Sequence, residues 1–186
     1  DKWGVVDLQG QVVVSFQMDN IGAINTLTPM QSGGLWYAVG LDNVPQAQPL
    51  PFDTLVGNEG ACFVGTSDGI AVSSWRGDTP LDQIMPDFDS MGAPKGGYVP
   101  VQMGGKASLM DCAYGSLLGD TFSFDAVHGF SEGVAAALTA GQWGYVGTSG
   151  EWYEIEALYQ DAGDFSQGLA PVKQGGKWGY IDRSGS

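Results

Sequence analysis

Tyr159-Gln-Asp-Ala-Gly-Asp-Phe-Ser-Gln-Gly168-Leu-Ala-Pro-Val-Lys-Gln-Gly-Gly-Lys-Trp178-Gly-Tyr-Ile-Asp182 is the stretch that decides the fold, because the chain has already said it once. One unit earlier it reads Phe124-Asp-Ala-Val-His-Gly-Phe-Ser-Glu-Gly133-Val-Ala-Ala-Ala-Leu-Thr-Ala-Gly-Gln-Trp143-Gly-Tyr-Val-Gly147. Phe16, Phe52 and Phe88 open three earlier copies, so the lead aromatics stand at 16, 52, 88, 124 and 159. Self-similarity at such a period is the signature of a repeat architecture, in which each unit is one supersecondary element that buries its apolar face against its neighbours.

Nineteen residues after each lead aromatic comes a Trp-Gly slot. It holds Trp143 and Trp178 in the last copies and has decayed to Leu35 (with Trp36 beside it), Ala71 and Ala107 in the others. A further slot, Trp3-Gly4-Val5-Val6-Asp7, opens the chain. Each unit divides into three strand-length pieces. Leu169 to Lys173 and Trp178 to Asp182 flank a Gly-Gly turn, whose positive φ angles suit a short hairpin. A turn ending in glycine follows, as in Leu8-Gln9-Gly10 and Thr148-Ser149-Gly150, with glycine expected in the left-handed position. The third strand is expected at Gln11 to Phe16 and at Glu151 to Tyr159, where period two puts Tyr153, Ile155, Ala157 and Tyr159 on the dry face.

Pro29, Pro100 and Pro171 recur in the first piece, and proline cannot donate to a ladder, so that strand is expected at a sheet margin. No window carries an apolar 3.6-residue period. The expectation is a single all-β domain over 1–186, about five 36-residue three-stranded antiparallel units in an open array. A closed propeller-like ring is the alternative, since the chain begins and ends on the same slot. Residue 1 falls inside a repeat and Ser184-Gly185-Ser186 reads as a turn into another strand, so a longer parent chain is expected.

Gly141-Gln-Trp143-Gly-Tyr-Val and Gly176-Lys-Trp178-Gly-Tyr-Ile-Asp182, each preceded by Phe-Ser-x-Gly, resemble the bacterial tryptophan–glycine (WG, or KWG) β-repeat family. The resemblance is strong over 124 to 186 and at Lys2 to Asp7, and weak from 35 to 111. It implies a β-repeat fold and a surface or envelope interaction module without assigned chemistry. It carries over no catalytic or binding residue.

The 186 residues hold 21 acidic and 7 basic side chains, a net charge of −14. Such a chain repels polyphosphate and anionic lipid, so neither nucleic acid nor a membrane surface is expected as a partner. No apolar run reaches the length of a membrane span. Cys62 and Cys112 are too few for a disulfide scaffold; they either pair once or stay as buried thiols, and thiols are favoured. One histidine and two cysteines do not make a zinc site, and no calcium loop organises Asp87, Asp89, Asp120, Asp125, Asp161 and Asp164, which are expected to cap turns. No metal and no cofactor are expected.

Gly129-Phe-Ser131-Glu-Gly133 matches the pattern of a hydrolase nucleophile elbow, but the only histidine, His128, precedes the serine, and the next copy repeats the motif as Asp164-Phe-Ser166-Gln-Gly168. Repeat identity explains it, and an enzyme is not expected. The off-pattern aromatics Trp152, Trp75 and Tyr37 are the candidate ligand-binding residues, because aromatics standing off the core slot of a sheet offer stacking platforms. The functional expectation is a non-enzymatic, extracellular or envelope module that scaffolds a protein partner. A carbohydrate-binding module is the alternative.

Overall fold

A computed structural model describes the chain except for residues 26, 41–49, 51, 61, 68–69, 73–74, 77–78, 81–87, 154 and 156–157; at 70–72, 75–76, 79–80 and 120 only the backbone is described. The chain divides into two compact units, 1–87 and 88–186. In the first, β1 (Trp3–Val6) pairs with β2 (Val12–Met18), and β3 (Asn20–Ile21), β4 (Leu27–Ser32) and β5 (Leu35–Gly40) form a three-stranded sheet. A second such sheet comprises β6 (Thr54–Glu59), β7 (Cys62–Ser67) and β8 (Ile70–Val72), and β9 (Trp75–Arg76) pairs with β10 (Thr79–Pro80). The second unit holds three sheets in chain order: β11 (Ser90–Met91), β12 (Tyr98–Met103) and β13 (Lys106–Asp111); β14 (Ala126–Val127), β15 (Val134–Thr139) and β16 (Gln142–Gly147); β17 (Asp161–Ala162), β18 (Ala170–Gln174) and β19 (Lys177–Ile181). The protein is all-β, with one 3-10 turn at Leu118–Asp120 the only helical element among the described residues. The sheets are antiparallel, small and separate, and none of them closes into a ring or barrel among the described residues. No described helix is long and apolar enough to cross a membrane.

The turns follow the glycines. Gly33-Gly34, Gly104-Gly105 and Gly175-Gly176 all have positive φ, as the tight hairpins between the middle and Trp-bearing strands require, and Gly10, Gly150 and Gly185 sit at φ 80–82° in the second type of turn. The strand trio differs from the expectation. Each three-stranded sheet in the second unit starts with a two-residue strand just after the lead aromatic, and the proline-bearing strand is the central one. Pro29, Pro100 and Pro171 each accept at their carbonyl from Gly22, Gly92 and Gly163 N–H, all at 2.8 Å. A residue's N and O point to the same side of a strand, so the missing N–H faces the short strand where its ladder has already ended. Proline therefore costs no ladder bond in the middle of these sheets.

The same pairs show why glycine stands there. A Cβ on Gly22 or Gly163 would lie 2.5 or 2.7 Å from the proline ring. In the fourth copy both members change together: His128 replaces the glycine, Ala136 replaces the proline, and His128 N–H still donates to Ala136 O at 2.9 Å.

Register also relocates two slots of the first copy. Gln31 faces Trp36 as Gln102 faces Ala107, Leu138 faces Trp143 and Lys173 faces Trp178, so Trp36, not Leu35, fills the Trp slot. The residue after each lead donates its N–H to the middle strand: Asp53 to Thr66, Asp89 to Gln102, Asp125 to Leu138, Gln160 to Lys173 and Asp19 to Gln31. Met18 is thus the structural lead of the first copy; it is 6 % exposed, while Phe16, two residues earlier, is 59 % exposed. The third strand exists as β2 but is irregular later. Trp152 bridges Val146 and Tyr159 bridges Trp143, while Tyr145 accepts from Tyr153 N–H and donates to Ile155 O. That two-residue bulge turns Tyr153 outward and leaves Ile155 and Tyr159 in the core; Ala157 lies outside the described residues.

The core forms between consecutive sheets. Tyr145, Val134 and Ala136 on one side meet Ala162, Phe165, Ala170, Val172 and Ile181 on the other. Ala107 and Leu109 meet Phe130, Ala135, Ala137 and Val146 in the same way. The β14–β16 sheet so packs through both faces, Ala135, Ala137 and Val146 on the backward one and Val134, Ala136 and Tyr145 on the forward one. Cys62 and Cys112 are buried, and neither is a free thiol, contrary to the expectation.

Candidate interaction surface

The forward face of the last sheet is the largest departure from this pattern. Trp178 and Tyr180 stand two apart on β19 and so point the same way. They occupy the slots that Trp143 and Tyr145 occupy one copy earlier. Tyr145 is fully buried: its ring meets Phe165 edge-on at 4.9 Å and its hydroxyl donates to Gly163 O at 2.8 Å. Burial raises its pKa, so it stays a donor at any physiological pH. Tyr180, in the same slot, is 73 % exposed, Trp178 58 %, and Leu169 beside them is also open.

The candidate residues lie elsewhere. Trp152 is 39 % exposed and packs edge-on against Phe124, ring centroids 6.0 Å apart. Tyr37 is half-buried and lines a cleft of about 310 Å³ with Gln17, Met18, Met30, Ser32 and Val39. By register Tyr37 fills the glycine position of the Trp-Gly pair, which Ser108, Gly144 and Gly179 fill in later copies. The side chain of Trp75 lies outside the described residues. Trp152 and Tyr37 belong to different units. Trp178 and Tyr180 were passed over in the sequence because their slot reads as core. The signal that finds them is positional: they follow the pattern in a copy with no sheet packed in front of it among the described residues.

The acidic residues fasten hairpins within a copy and join neighbouring copies inside each unit. Asp89 and Asp125 accept from the hairpin turns at Gly104 and Ala140 (2.7 and 2.9 Å), as Asp19 does at Gly33 (2.8 Å) and Gln160 at Gly176 (2.7 Å). These are long-range tethers of a hairpin rather than the local turn caps expected of Asp89 and Asp125. The other oxygen of Asp19 holds Lys2, and that of Asp125 holds Lys106. Those lysines are the residues just before the Trp slot, and each lowers the pKa of its aspartate. Asp161 accepts from Ala162 N–H. Asp164 binds Lys95 of the copy two before its own and His128 Nδ1 of the copy before (2.9 Å). Its part-burial raises the carboxyl pKa, but Lys95 and His128 outweigh that and hold it low. His128 also faces the Trp143 ring at 5.0 Å. Ser131 of the elbow-like motif donates to Phe165 O at 2.8 Å, and Glu132-Gly133 after it is a left-handed turn, so the serine fastens two copies together. Among the described residues no three His, Cys, Asp or Glu side chains converge on a metal-sized site. Asp87 and the side chain of Asp120 lie outside the described residues.

A family model for the WG containing repeat matches residues 3–26, 84–106 and 143–178. Those three segments are similar to the WG repeat. The middle match falls where the sequence resemblance is weakest, and it covers β11 and β12, whose pairing repeats that of the later copies. Ala107 there has lost the tryptophan yet keeps the WG strand's register and hydrogen bonds. No curated protein matches the chain.

Proposed function

We propose that this chain of WG-like repeats is a non-enzymatic interaction module, a protein-binding scaffold carried by a bacterial surface or secreted protein. The observation that carries the reading is the succession of small antiparallel sheets, three segments of which match the WG containing repeat, with aromatic side chains such as Trp152 left partly open on it. Aromatic side chains on a rigid sheet bring large contact area at small entropic cost, which is what protein interfaces select. The hydroxyl most like a nucleophile, Ser131, is engaged in a structural bond. A net charge of −14, few lysines and the lack of a free thiol suit an oxidising compartment outside the cytoplasm; labelling of intact cells with an impermeant amine reagent tests that location, and protection of the chain would argue against it.

A carbohydrate-binding reading is favoured by two observations: Tyr37 lines a cleft, and Trp152 leaves more than a third of its surface open. Tryptophan emission titrated with cell-wall and host polysaccharides, with Trp152→Ala, Trp75→Ala and Tyr37→Ala alongside, separates the two. The scaffold reading expects a flat response; a saturable change lost in one variant would replace it by the sugar-binding one.

A further inference from the structure

The third copy has a cleft at the place where the next copy carries an indole. Cross-strand partners share one face of a sheet, so Ser90, Gln102 and Ala107 lie together, with Gly92 and Pro100 two residues along the same face. The next copy holds Ala126, Leu138 and Trp143 at these positions, with His128 and Ala136 beside them. There the Trp143 indole lies against the His128 ring, with 5.0 Å between centroids. Trp36 fills the same slot in the first copy and is buried with Ala38, Phe52 and Phe63. In the third copy Ala107 reduces that indole to a methyl group, and Gly92 has no side chain beside it. A cleft of about 250 Å³ opens over the two residues.

The cleft is internal to the second unit. It lies between two consecutive sheets, with Val127 of the following sheet on one side. Val127 and Ala107 are buried and form its floor, Met91 and Pro100 are half-buried on its walls, and Ser90 and Gln102 are exposed at its rim. At that rim Ser90 Oγ donates to Gln102 Oε1 at 2.9 Å. A thioether makes favourable contacts with aromatic rings, and the proline ring adds flat apolar surface. An apolar cavity of about 150 Å³ already takes up a benzene ring, so there is room here for one aromatic side chain. Sites for larger ligands begin at about 300 Å³.

We propose that this cleft receives one aromatic side chain, an indole, from a partner protein, which takes the place that Trp143 takes in the next copy. The ring is the anchor, and Ser90 and Gln102 at the rim meet the partner's backbone. A large aromatic anchor in an apolar pocket with a polar rim carries much of the energy of many protein interfaces. This rests on the protein-scaffold reading and specifies the residue by which the partner is held.

The test uses the full chain with methyl-labelled methionine and valine, and N-acetyl-tryptophanamide as the probe. NMR is expected to show saturable upfield ring-current shifts at the Met91 and Val127 methyls at millimolar probe. Ala107→Trp, which fills the cleft from its floor, and Ser90→Phe, at its exposed rim, are each expected to weaken binding by about tenfold. Ser90→Phe leaves the core untouched, so it decides the matter if Ala107→Trp does not fold. No saturable shift, or shifts that both variants leave unchanged, overturns the proposal. So does N-acetylglucosamine saturating the same methyls, which would make the cleft a sugar site. Binding of free indole with exclusion of the amide-flanked probe overturns it as well, since the occupant would then be a small aromatic molecule rather than a side chain. A flat polysaccharide titration with no probe binding removes this site and leaves the scaffold reading standing.

Discussion

Tyr145 and Tyr180 make a controlled comparison: the same residue in the same slot, one fully buried and one 73 % exposed. Replacing each by alanine tests whether sheet-against-sheet packing holds the second unit together. Tyr145→Ala empties a space between Val134, Ala136, Phe165 and Ile181 and leaves Gly163 O without its donor. Truncating a large buried aromatic costs about 3–5 kcal/mol, and the lost hydrogen bond adds about 1 kcal/mol. Tyr145→Phe isolates that last part and is expected to cost about 1 kcal/mol. Tyr180→Ala removes a ring that no sheet covers among the described residues and is expected, in this 186-residue chain, to stay within about 0.5 kcal/mol. The assay is guanidinium denaturation followed by far-ultraviolet circular dichroism, with m-values compared. The chain has two compact units, so two transitions are to be resolved if present and the effect assigned to the one that Phe165→Leu also moves. A cost above about 2 kcal/mol for Tyr180→Ala, or below that for Tyr145→Ala, would refute the packing scheme.

Other positions give further expectations. Gly163→Ala forces a Cβ to within 2.7 Å of the Pro171 ring and is expected to destabilise by about 1–3 kcal/mol, with Pro171→Ala restoring part of the loss in a double-mutant cycle, as His128 with Ala136 does naturally; additive effects would break the argument. Ser108 is buried and its hydroxyl finds no partner among the described residues, so Ser108→Ala is expected to raise stability by about 1 kcal/mol, seen as a higher melting temperature; a drop would mean the hydroxyl is bonded. Asp164→Asn loses its links to Lys95 and His128, all partly exposed, and is expected to cost about 0.5–1 kcal/mol at neutral pH. Because the folded-state pKa of Asp164 lies below its unfolded value, its contribution is present above the unfolded carboxylate pKa and is lost as pH falls through the folded one; thermal melts from pH 7 to pH 2 should show a shallower acid slope in the variant, and parallel slopes would count against it.

The period of the chain is legible in the sequence because it is fixed by residues that no other type replaces cheaply: glycines at positive φ and aromatics under a neighbouring sheet. Their positions named the turns correctly. The strand trio was not legible, because the two-residue strands at Ser90–Met91, Ala126–Val127 and Asp161–Ala162 are too short to show alternation. Proline misled for a related reason. Its missing donor is harmless beside a strand that ends after two residues, and local composition does not show where a neighbour ends. The first copy misled because Phe16 is the aromatic and Met18 the structural equivalent; only the bond from Asp19 to Gln31 decides between them. Tyr37 stands out in the sequence because it breaks the pattern, and the structure sets it in a cleft. Trp178 and Tyr180 were missed because they obey it, and their exposure depends on what stands in front of them.

The sheets do not coincide with the sequence copies. Tyr159, which opens one copy, pairs across Trp143, which stands midway through the copy before, and Asp125 clasps Lys106 of the preceding copy along with the hairpin of its own. A stretch duplicated or deleted over one full period therefore brings both halves of the joint with it. The joint is itself repeated from copy to copy while its residues vary: Asp125 meets Lys106 at one seam, and Gln160 and Gln142 hold the same two positions at the next.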